Sequence, residues 1–319
     1  MISLSNICKR YDKTEVLHDL TFSIEPGRIV GLLGPNGAGK STTLNILTGC
    51  LAPTSGQVNI FGTDLLDDPR NAKRHLGYLP EHPPLYHDMT VREYLDFVAE
   101  AKGLSRRERA DAVVRAMKST DVVHEQNRLL YKLSKGTRQR VGIAQAILGN
   151  PDCIVLDEPT IGLDPRQITE IRSLISTLGR DHTVLISSHI LSEIDSLCDQ
   201  VLILSHGKLV AQDTPDNLTG RLKTSAAVRL LIRCSEEKLR RALGVLPHLS
   251  SIQIEPGEEA NTMSVALAFD GLRDPREQIS AALASNGLYP IEIRMEKARL
   301  EDVFLELTED TGEEKEANA

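Results

Sequence analysis

Aromatic side chains are scarce in this sequence of 319 residues, which has no tryptophan and only 3% aromatics. Proteins that bind single-stranded nucleic acids stack the bases on aromatic rings. The net charge is −8, from 37 basic and 45 acidic residues, and no basic tail or stripe is present. Electrostatic binding to nucleic acid needs such basic surfaces. We therefore expect no nucleic-acid partner.

Long apolar runs are missing as well. No run approaches the roughly 18 residues needed to cross a bilayer, and the N-terminus lacks the basic, apolar and cleavage regions of a signal peptide. The five cysteines are widely spaced and form no C-x-x-C pair, as is typical of thiols in a reducing cytosol. They are Cys8, Cys50, Cys153, Cys198 and Cys234. If the protein works at a membrane, another chain must supply the spanning part.

What the sequence does contain is the stretch Gly-Pro-Asn-Gly-Ala-Gly-Lys-Ser-Thr at residues 34–42. It fits the phosphate-binding pattern G-x-x-x-x-G-K-[ST]. The pattern needs glycines because the loop turns its backbone N–H groups inward, which requires positive φ angles. Its four fixed positions are occupied by Gly34, Gly39, Lys40 and Ser41. The sequence therefore predicts a loop that cradles phosphates.

The flanking residues fit such a loop. Residues 28–33 are predicted to form a buried strand before it, and residues 42–48 a helix after it. The helix N-terminus and Lys40 would attract phosphates, and Ser41 would hold a Mg²⁺ ion shared with a nucleotide. For an isolated match, the alternative is a glycine-rich turn between a strand and a helix.

Two further apolar runs end in groups suited to phosphate chemistry. Residues 153–156 predict a buried parallel strand that ends at Asp157 and Glu158. One carboxylate could hold Mg²⁺ while its neighbour orients a nucleophilic water. Residues 183–186 repeat the pattern, and His189 follows where it could reach a γ-phosphate. The alternatives are that both acids cap the next helix or pair with surface cations, and that the histidine is structural.

The chain between about residues 82 and 150 has helical character. Capping boxes at Thr90–Glu93 and Ser105–Glu108 each open a run with helical spacing, and a third helix is predicted to begin near Ser134. We expect a helical subdomain inserted in an α/β domain of residues 1–222.

The last third of the chain reads as a different unit. Between residues 223 and 308 the predicted strands and helices follow the order βαββαβ, the ferredoxin-like α+β arrangement. Dimer contact, regulation or stability alone could be the role of this accessory domain, and we favour dimer contact. Residues 309–319 are acidic and poor in apolar groups, which predicts a disordered tail.

Six motifs, in this order, resemble those of the ATP-binding subunits of ABC transporters. They are GPNGAGKST (34–42), YLPE (78–81), LSKGTRQR (133–140), CIVLDEP (153–159), IGLDP (161–165) and SSH (187–189). The resemblance covers about residues 1–220 and implies a P-loop ABC ATPase domain. The YLPE variant, residues 81–93 and residues 300–305 resemble the ABC-2 exporter class, and within it bacterial multidrug-type and gliding-motility-type exporters.

The resemblance also implies a role for each matching residue. ATP would be bound by the whole loop, namely Gly34, Pro35, Asn36, Gly37, Ala38, Gly39, Lys40, Ser41 and Thr42. Tyr11 would stack on adenine, and Ser41, Asp157 and Glu81 would hold Mg²⁺. Glu158 would be the general base and His189 would contact the γ-phosphate. Lys40 and Glu81 would also take part in catalysis.

In that family two such domains form a head-to-tail dimer, and each ATP lies between the phosphate loop of one and the signature segment of the other. Ser134 and Gly136 would supply this second phosphate grip at a helix N-terminus, and Asp164 would link the two halves. The partners implied are a second copy of this chain and an integral membrane permease. The resemblance places the protein at the cytoplasmic face of the cell membrane and favours export.

Four residues depart from the usual family pattern. Gln is replaced by Glu81, Gly by Lys135, Gln by Thr137, and a small or polar residue by Ile161. Because Ser134 and Gly136 are kept, we expect the two replacements in the signature segment, Lys135 and Thr137, to preserve function. Two alternative functions are a soluble ABC protein acting on ribosomes or DNA, which usually has paired nucleotide domains or basic surfaces, and a nucleotide-binding regulator that does not hydrolyse. The regulator would be expected to lack the base, whereas Glu158 is present.

Overall fold

The computed structural model describes residues 1–221, 226–257, 259, 261–269, 274–296 and 299–309. The chain divides into two compact units. Among the described residues, one unit comprises 1–215 and 304–309, and the other comprises those between 216 and 303. The domain boundaries predicted at residues 222 and 308 stay predictions. The predicted acidic tail lies outside the described residues, apart from its first residue.

Fourteen strands, eleven α-helices and two short 3₁₀-helices, Val123–Glu125 and Leu130–Lys132, are present in the described residues. The strands are β1 (Ile2–Tyr11), β2 (Thr14–Ile24), β3 (Ile29–Leu33), β4 (Ser55–Ile60), β5 (Thr63–Asp64), β6 (Leu76–Leu79), β7 (Cys153–Asp157), β8 (Thr183–Ser187), β9 (Gln200–Ser205), β10 (Lys208–Asp213), β11 (Ala226–Arg233), β12 (Leu249–Pro256), β13 (Thr262–Phe269) and β14 (Pro290–Glu296). The helices are α1 (Lys40–Leu47), α2 (Pro69–Arg74), α3 (Val91–Ala101), α4 (Arg106–Ser119), α5 (Lys135–Ile147), α6 (Pro165–Leu178), α7 (Leu191–Leu197), α8 (Pro215–Arg221), α9 (Glu236–Leu243), α10 (Arg276–Ser285) and α11 (Leu300–Glu309). None of these helices has the length and apolar character that crossing a bilayer requires.

A six-stranded sheet with the order β10-β9-β3-β8-β7-β6 positions the predicted site. The strands from β9 to β6 run parallel, and β10 is antiparallel to its neighbour. Every residue of β3, β7 and β8 is buried, which explains their continuous apolar runs in the sequence. Because the carboxyl ends of parallel strands share one edge, the phosphate loop, Glu158 and His189 all emerge there.

A second, antiparallel sheet with the order β2-β1-β4-β5 contains the N-terminal residues. Leu4, Leu20 and Val58 of this sheet belong to one buried cluster with Leu32 of β3 and Leu44 of α1. The core of this sheet supports the strand and helix on either side of the phosphate loop.

Helices α3, α4 and α5 form the predicted helical subdomain, and they share a core that includes Tyr94, Met117 and Val141. Both predicted capping boxes are confirmed. The Thr90 and Ser105 hydroxyls each accept a bond from the N–H three residues on, and the glutamates at those positions accept in return. Helix α5 also packs on the edge strand β6, where a Cβ on Gly77 would overlap the Ala146 carbonyl oxygen.

The unit of residues 216–303 contains an antiparallel sheet with the order β12-β13-β11-β14. The order of elements from β11 to β14 is βαββαβ, so the predicted ferredoxin-like arrangement is confirmed. Alternate residues of β11 and β13 pack against α9 and α10, which covers one face of the sheet. The contacting side chains include Val228, Leu230, Leu239, Leu267 and Leu283.

Candidate functional site

The phosphate loop connects β3 to α1, which begins at Lys40, two residues before its predicted start. Gly39 is its N-cap with a φ of 102°, and no side chain caps the helix, so its first N–H groups suit a phosphate. A Cβ on Gly39 would lie 2.6 Å from Leu17 Cδ2, and one on Gly34 would lie 2.6 Å from the Leu204 carbonyl oxygen. Both positions therefore require glycine.

The side chain of Lys40 folds back over this loop and is only 9% exposed. Its Nζ donates to the carbonyl oxygens of Gly34, at 2.6 Å, and Pro35, at 3.3 Å. Burial lowers the pKa of Lys40, while the nearby Glu158 and Asp157 carboxylates act in the opposite direction. The ammonium group thus lies between the loop and two carboxylates, where it can exchange carbonyl oxygens for phosphate oxygens.

Asp157 is the last residue of β7 and its side chain is buried. Its Oδ1 accepts a 2.6 Å hydrogen bond from the Ser187 hydroxyl at the end of β8. Burial raises the pKa of Asp157 and the Glu158 and Glu81 carboxylates raise it further, against the opposing effects of Ser187 and Lys40. A cation beside this group would favour its ionised form.

Glu158 turns the chain sharply away from the strand. Its φ of 47° lies in the left-handed region, which a non-glycine residue adopts only when its surroundings hold it there. Its backbone N–H donates to the Ser187 hydroxyl at 2.9 Å and to the Ser187 carbonyl oxygen at 3.2 Å. The turn directs the carboxylate away from Asp157, and its Oε2 lies 2.7 Å from His189 Nδ1.

One cleft of about 510 Å³ brings these groups together. Its lining residues are Val16, Pro35, Asn36, Gly37, Gly39, Lys40, Ser41, Thr42, Glu81, Glu158, Ile161 and His189. A second cleft, of about 610 Å³, contains none of the predicted site residues. Two arginines line it, and both are paired with Glu170. The smaller cleft, with its loop, carboxylates and imidazole, is the candidate active site.

The chain is similar to known proteins that contain an ATP-binding domain. The family description "ABC transporter" matches residues 17–161. The bacitracin transport ATP-binding protein BcrA of Bacillus licheniformis is 33% identical over 96% of this chain and 97% of its own. The chain belongs to the ABC transporter ATP-binding proteins. The Nod factor export ATP-binding protein I of Burkholderia thailandensis is also 33% identical, over 96% of both chains.

Solved structures agree with this assignment. The structure of an ATP-binding subunit of an ABC transporter is 32% identical, with a TM-score of 0.63 over 69% of this chain and 92% of its own. An ATP-binding cassette solved as a dimer in a post-hydrolysis state with ADP and Pi is 27% identical. Its TM-score is 0.61 over 67% of this chain and 98% of its own. Both comparisons cover about the length of the nucleotide-binding unit.

Several predicted site residues of this ABC protein do not line the cleft. Gly34, Ala38 and Asp157 lie behind it, buried, while Tyr11 is 46% exposed at the end of β1 with Lys9 Nζ 5.1 Å from its ring centroid. The signature and dimer-linking residues Ser134, Gly136 and Asp164 also lie outside it. Ser134 and Asp164 are N-caps, of α5 and α6 respectively. The roles assigned to these residues stay predictions.

The four residues that depart from the family pattern lie in two places, the signature segment and the cleft. The Thr137 hydroxyl lies 2.9 Å from the Ser134 hydroxyl, and Lys135 Nζ occupies the space that a Cβ on Gly162 would need. Glu81 and Ile161 line the cleft. Thr137 therefore makes its contact within the signature segment and Lys135 packs over Gly162, while the other two replaced side chains face the cleft.

Sequence reasoning missed the part played by Ser187. It was part of a recognised motif, yet only the histidine of that motif received a role. Its hydroxyl donates to Asp157 and accepts from the Glu158 backbone, so one side chain positions both acids. A serine at the end of a buried strand, beside a strand that ends in two acids, is the signal that could have indicated it.

Proposed function

We propose that this protein hydrolyses ATP and thereby drives a separate membrane permease. The observation that carries the proposal is the 2.7 Å contact between Glu158 Oε2 and His189 Nδ1 in the cleft lined by the phosphate loop. In this arrangement the Glu158 carboxylate accepts a proton from the water that attacks the γ-phosphate. His189 holds that carboxylate toward the nucleotide.

Two residues that line the cleft, together with Asp157 behind it, fit a Mg²⁺ ion. Ser41, Asp157 and Glu81 offer oxygen atoms, which Mg²⁺ prefers, and it is usually held by one or two carboxylates together with phosphates and water. In the described part of the chain, no three His, Cys, Asp or Glu side chains are grouped as a metal site of their own. This favours an ion that arrives with ATP and, when bound, neutralises charge on the phosphates.

A second copy of this chain would complete the site. The N-terminus of α5 at Ser134 and Gly136 lies outside the cleft in its own chain, so it is available to the ATP of a partner. The similar cassette with ADP and Pi is a dimer, which supports the same assembly here. We assign Asp164 to the contact between the halves and Tyr11 to the adenine.

The names of two relatives support a transport role, and one of them supports export. BcrA is a bacitracin transport protein, and the Nod factor relative is an export protein. We infer that this chain binds a permease at the cytoplasmic face of the membrane and powers export of a cargo that the permease selects.

Replacing Glu158 by Gln tests the hydrolytic assignment. The amide keeps the shape of the side chain but cannot accept the proton, so ATP should still bind while kcat falls at least about a hundredfold. Asp181→Asn, an exposed acid on a loop outside the cleft, is the matched control. Turnover is measured by phosphate release and binding by calorimetry. Unchanged turnover in E158Q would overturn the general-base role, and a wild-type chain that binds ATP without turnover would support the regulator.

Affinity purification of the tagged E158Q protein from native membranes, with ATP present, tests the transporter assignment. Slow hydrolysis should preserve the ATP-bound complex, so a polytopic membrane protein is expected in stoichiometric amount, as mass spectrometry would show. The same purification of a Lys40→Ala chain, which should bind ATP far more weakly, is the control. Recovery of ribosomes or nucleic acid instead would contradict the permease assignment.

A further inference from the structure

A buried glutamate close to the catalytic pair has no role in the proposed mechanism. Glu193 lies in the first turn of α7 and is only 3% exposed. Its Oε2 accepts hydrogen bonds from the Thr160 hydroxyl, at 2.8 Å, and from the Ser188 hydroxyl, at 3.2 Å. Both hydroxyl groups belong to buried residues.

These two hydroxyls lie on different loops. Thr160 is two residues after Glu158 in the loop that follows β7, and Ser188 immediately precedes His189 in the loop that follows β8. A single carboxylate oxygen of Glu193 therefore connects the loop of the base to the loop of the histidine. The contact between Glu158 and His189 connects the same loops on the side of the cleft.

The other oxygen of Glu193 suggests that stability alone does not account for this residue. Oε1 is buried and has no hydrogen-bond partner among the described residues. A buried polar atom without a partner costs free energy, so an apolar side chain of similar volume would serve the core better. Core packing alone therefore does not explain why this position holds a carboxylate.

We propose that Glu193 is a positioning residue that fastens the loops of Glu158 and His189 together and so sets the rate of ATP turnover without touching the nucleotide. This inference rests on the proposed hydrolytic function. Loss of the carboxylate should leave both loops attached to their strands, with the contact between Glu158 and His189 left to hold the loops together on the side of the cleft. The base would then spend less time in the orientation that the attacking water requires.

The test compares Glu193→Met, Glu193→Gln and Thr160→Val with the wild-type full chain. E193M removes the carboxylate and T160V removes the hydroxyl, each with a side chain of similar size. E193Q keeps an oxygen that can accept from both hydroxyls. We expect kcat to fall about tenfold in E193M and T160V, with the KM for ATP changed less than twofold, and to be largely retained in E193Q. Thr120→Val is the matched control, because the buried Thr120 hydroxyl also donates a hydrogen bond, to the Ala116 carbonyl oxygen.

A second readout does not depend on turnover. In ¹⁵N spectra of labelled histidine rings, the His189 signal should move in E193M and T160V because its bond to Glu158 is weakened. The buried ring of His182, with Nδ1 2.7 Å from the Pro151 carbonyl oxygen, should not move and serves as the internal reference.

An unmoved His189 signal in both variants, or a kcat loss equal to that of T120V, would overturn the proposal. If the wild-type chain shows no turnover, the proposed function fails, and the His189 spectrum still decides whether Glu193 holds the pair. Should E193M fail to fold, T160V carries the same comparison.

Discussion

The two helix N-termini that we assign to phosphates, those of α1 and α5, differ in how far one chain completes them. Helix α1 begins after a left-handed glycine with no side-chain cap, and Lys40 and two carboxylates lie next to it. Helix α5 is capped by Ser134, whose hydroxyl accepts from the Thr137 N–H at 3.1 Å. The N-terminus of α1 is therefore open to a ligand within its own chain, whereas that of α5 has one N–H group capped, and we propose that its ligand comes from a partner.

Lys40→Ala should have the largest effect of the substitutions proposed here, because it removes the positive charge beside the N-terminus of α1. Hydrogen bonds to charged groups contribute about 1.5–3 kcal/mol each, so we expect ATP affinity to fall roughly a hundredfold or more. Calorimetric titration with ATP measures the loss, and exposed Lys118 on α4, replaced by Ala, is the control. Equal affinities of the two variants would contradict the position we give to Lys40.

Lys102→Met should reduce stability without affecting the α1 site. Lys102 Nζ donates to the carbonyl oxygens of Gln145, Ala146 and Leu148, each at 2.9 Å, and so closes the C-terminal end of α5. Methionine keeps the length but leaves the carbonyls without a donor, which should cost about 1–3 kcal/mol of unfolding free energy. Urea denaturation measures this cost, and ATP affinity should be unchanged.

The same variant makes a prediction about pH. Burial lowers the pKa of Lys102 to about 8, whereas an unfolded chain keeps the ordinary value of about 10.4. Between these values the unfolded state binds more protons, so this group makes the wild-type protein more stable as pH rises and less stable as pH falls toward 8. The stability difference between wild type and K102M should therefore widen from pH 8 to pH 10. A difference that narrows would contradict it.

Ser134→Ala should have the smallest effect on a single chain. Losing the N-cap hydrogen bond should cost about 1 kcal/mol of stability, with ATP affinity of the monomer unchanged. In the E158Q background, ATP-dependent dimer formation should weaken about tenfold, as sedimentation would show, because the partner's phosphate loses a donor. Ser105→Ala, which removes the corresponding cap of α4, is the control. If S134A and S105A weakened dimer formation equally, the role that we assign to the N-terminus of α5 would be contradicted.

The sequence predicted local features of both regions well. The loop, the capping boxes and the buried strands that end at Asp157 and Ser187 depend on neighbours in the chain or on a short period, and the structure contains them. The roles of Ser187 and Glu193 depend on side chains about 30 positions away, which meet only because β7 and β8 are adjacent and parallel. No local pattern in the sequence predicts these contacts between the ends of β7 and β8.

Helix α5 is held at both of its ends as well as along its length. Its 13 residues, at about 1.5 Å each, make a rod about 20 Å long. Ser134 closes one end and Lys102 the other, while Val141 and Leu148 are packed among the side chains of α3 and α4. We therefore expect α5 to move with α3 and α4 as one rigid body, so that a displacement of the helical subdomain would also displace Ser134 at the end of α5.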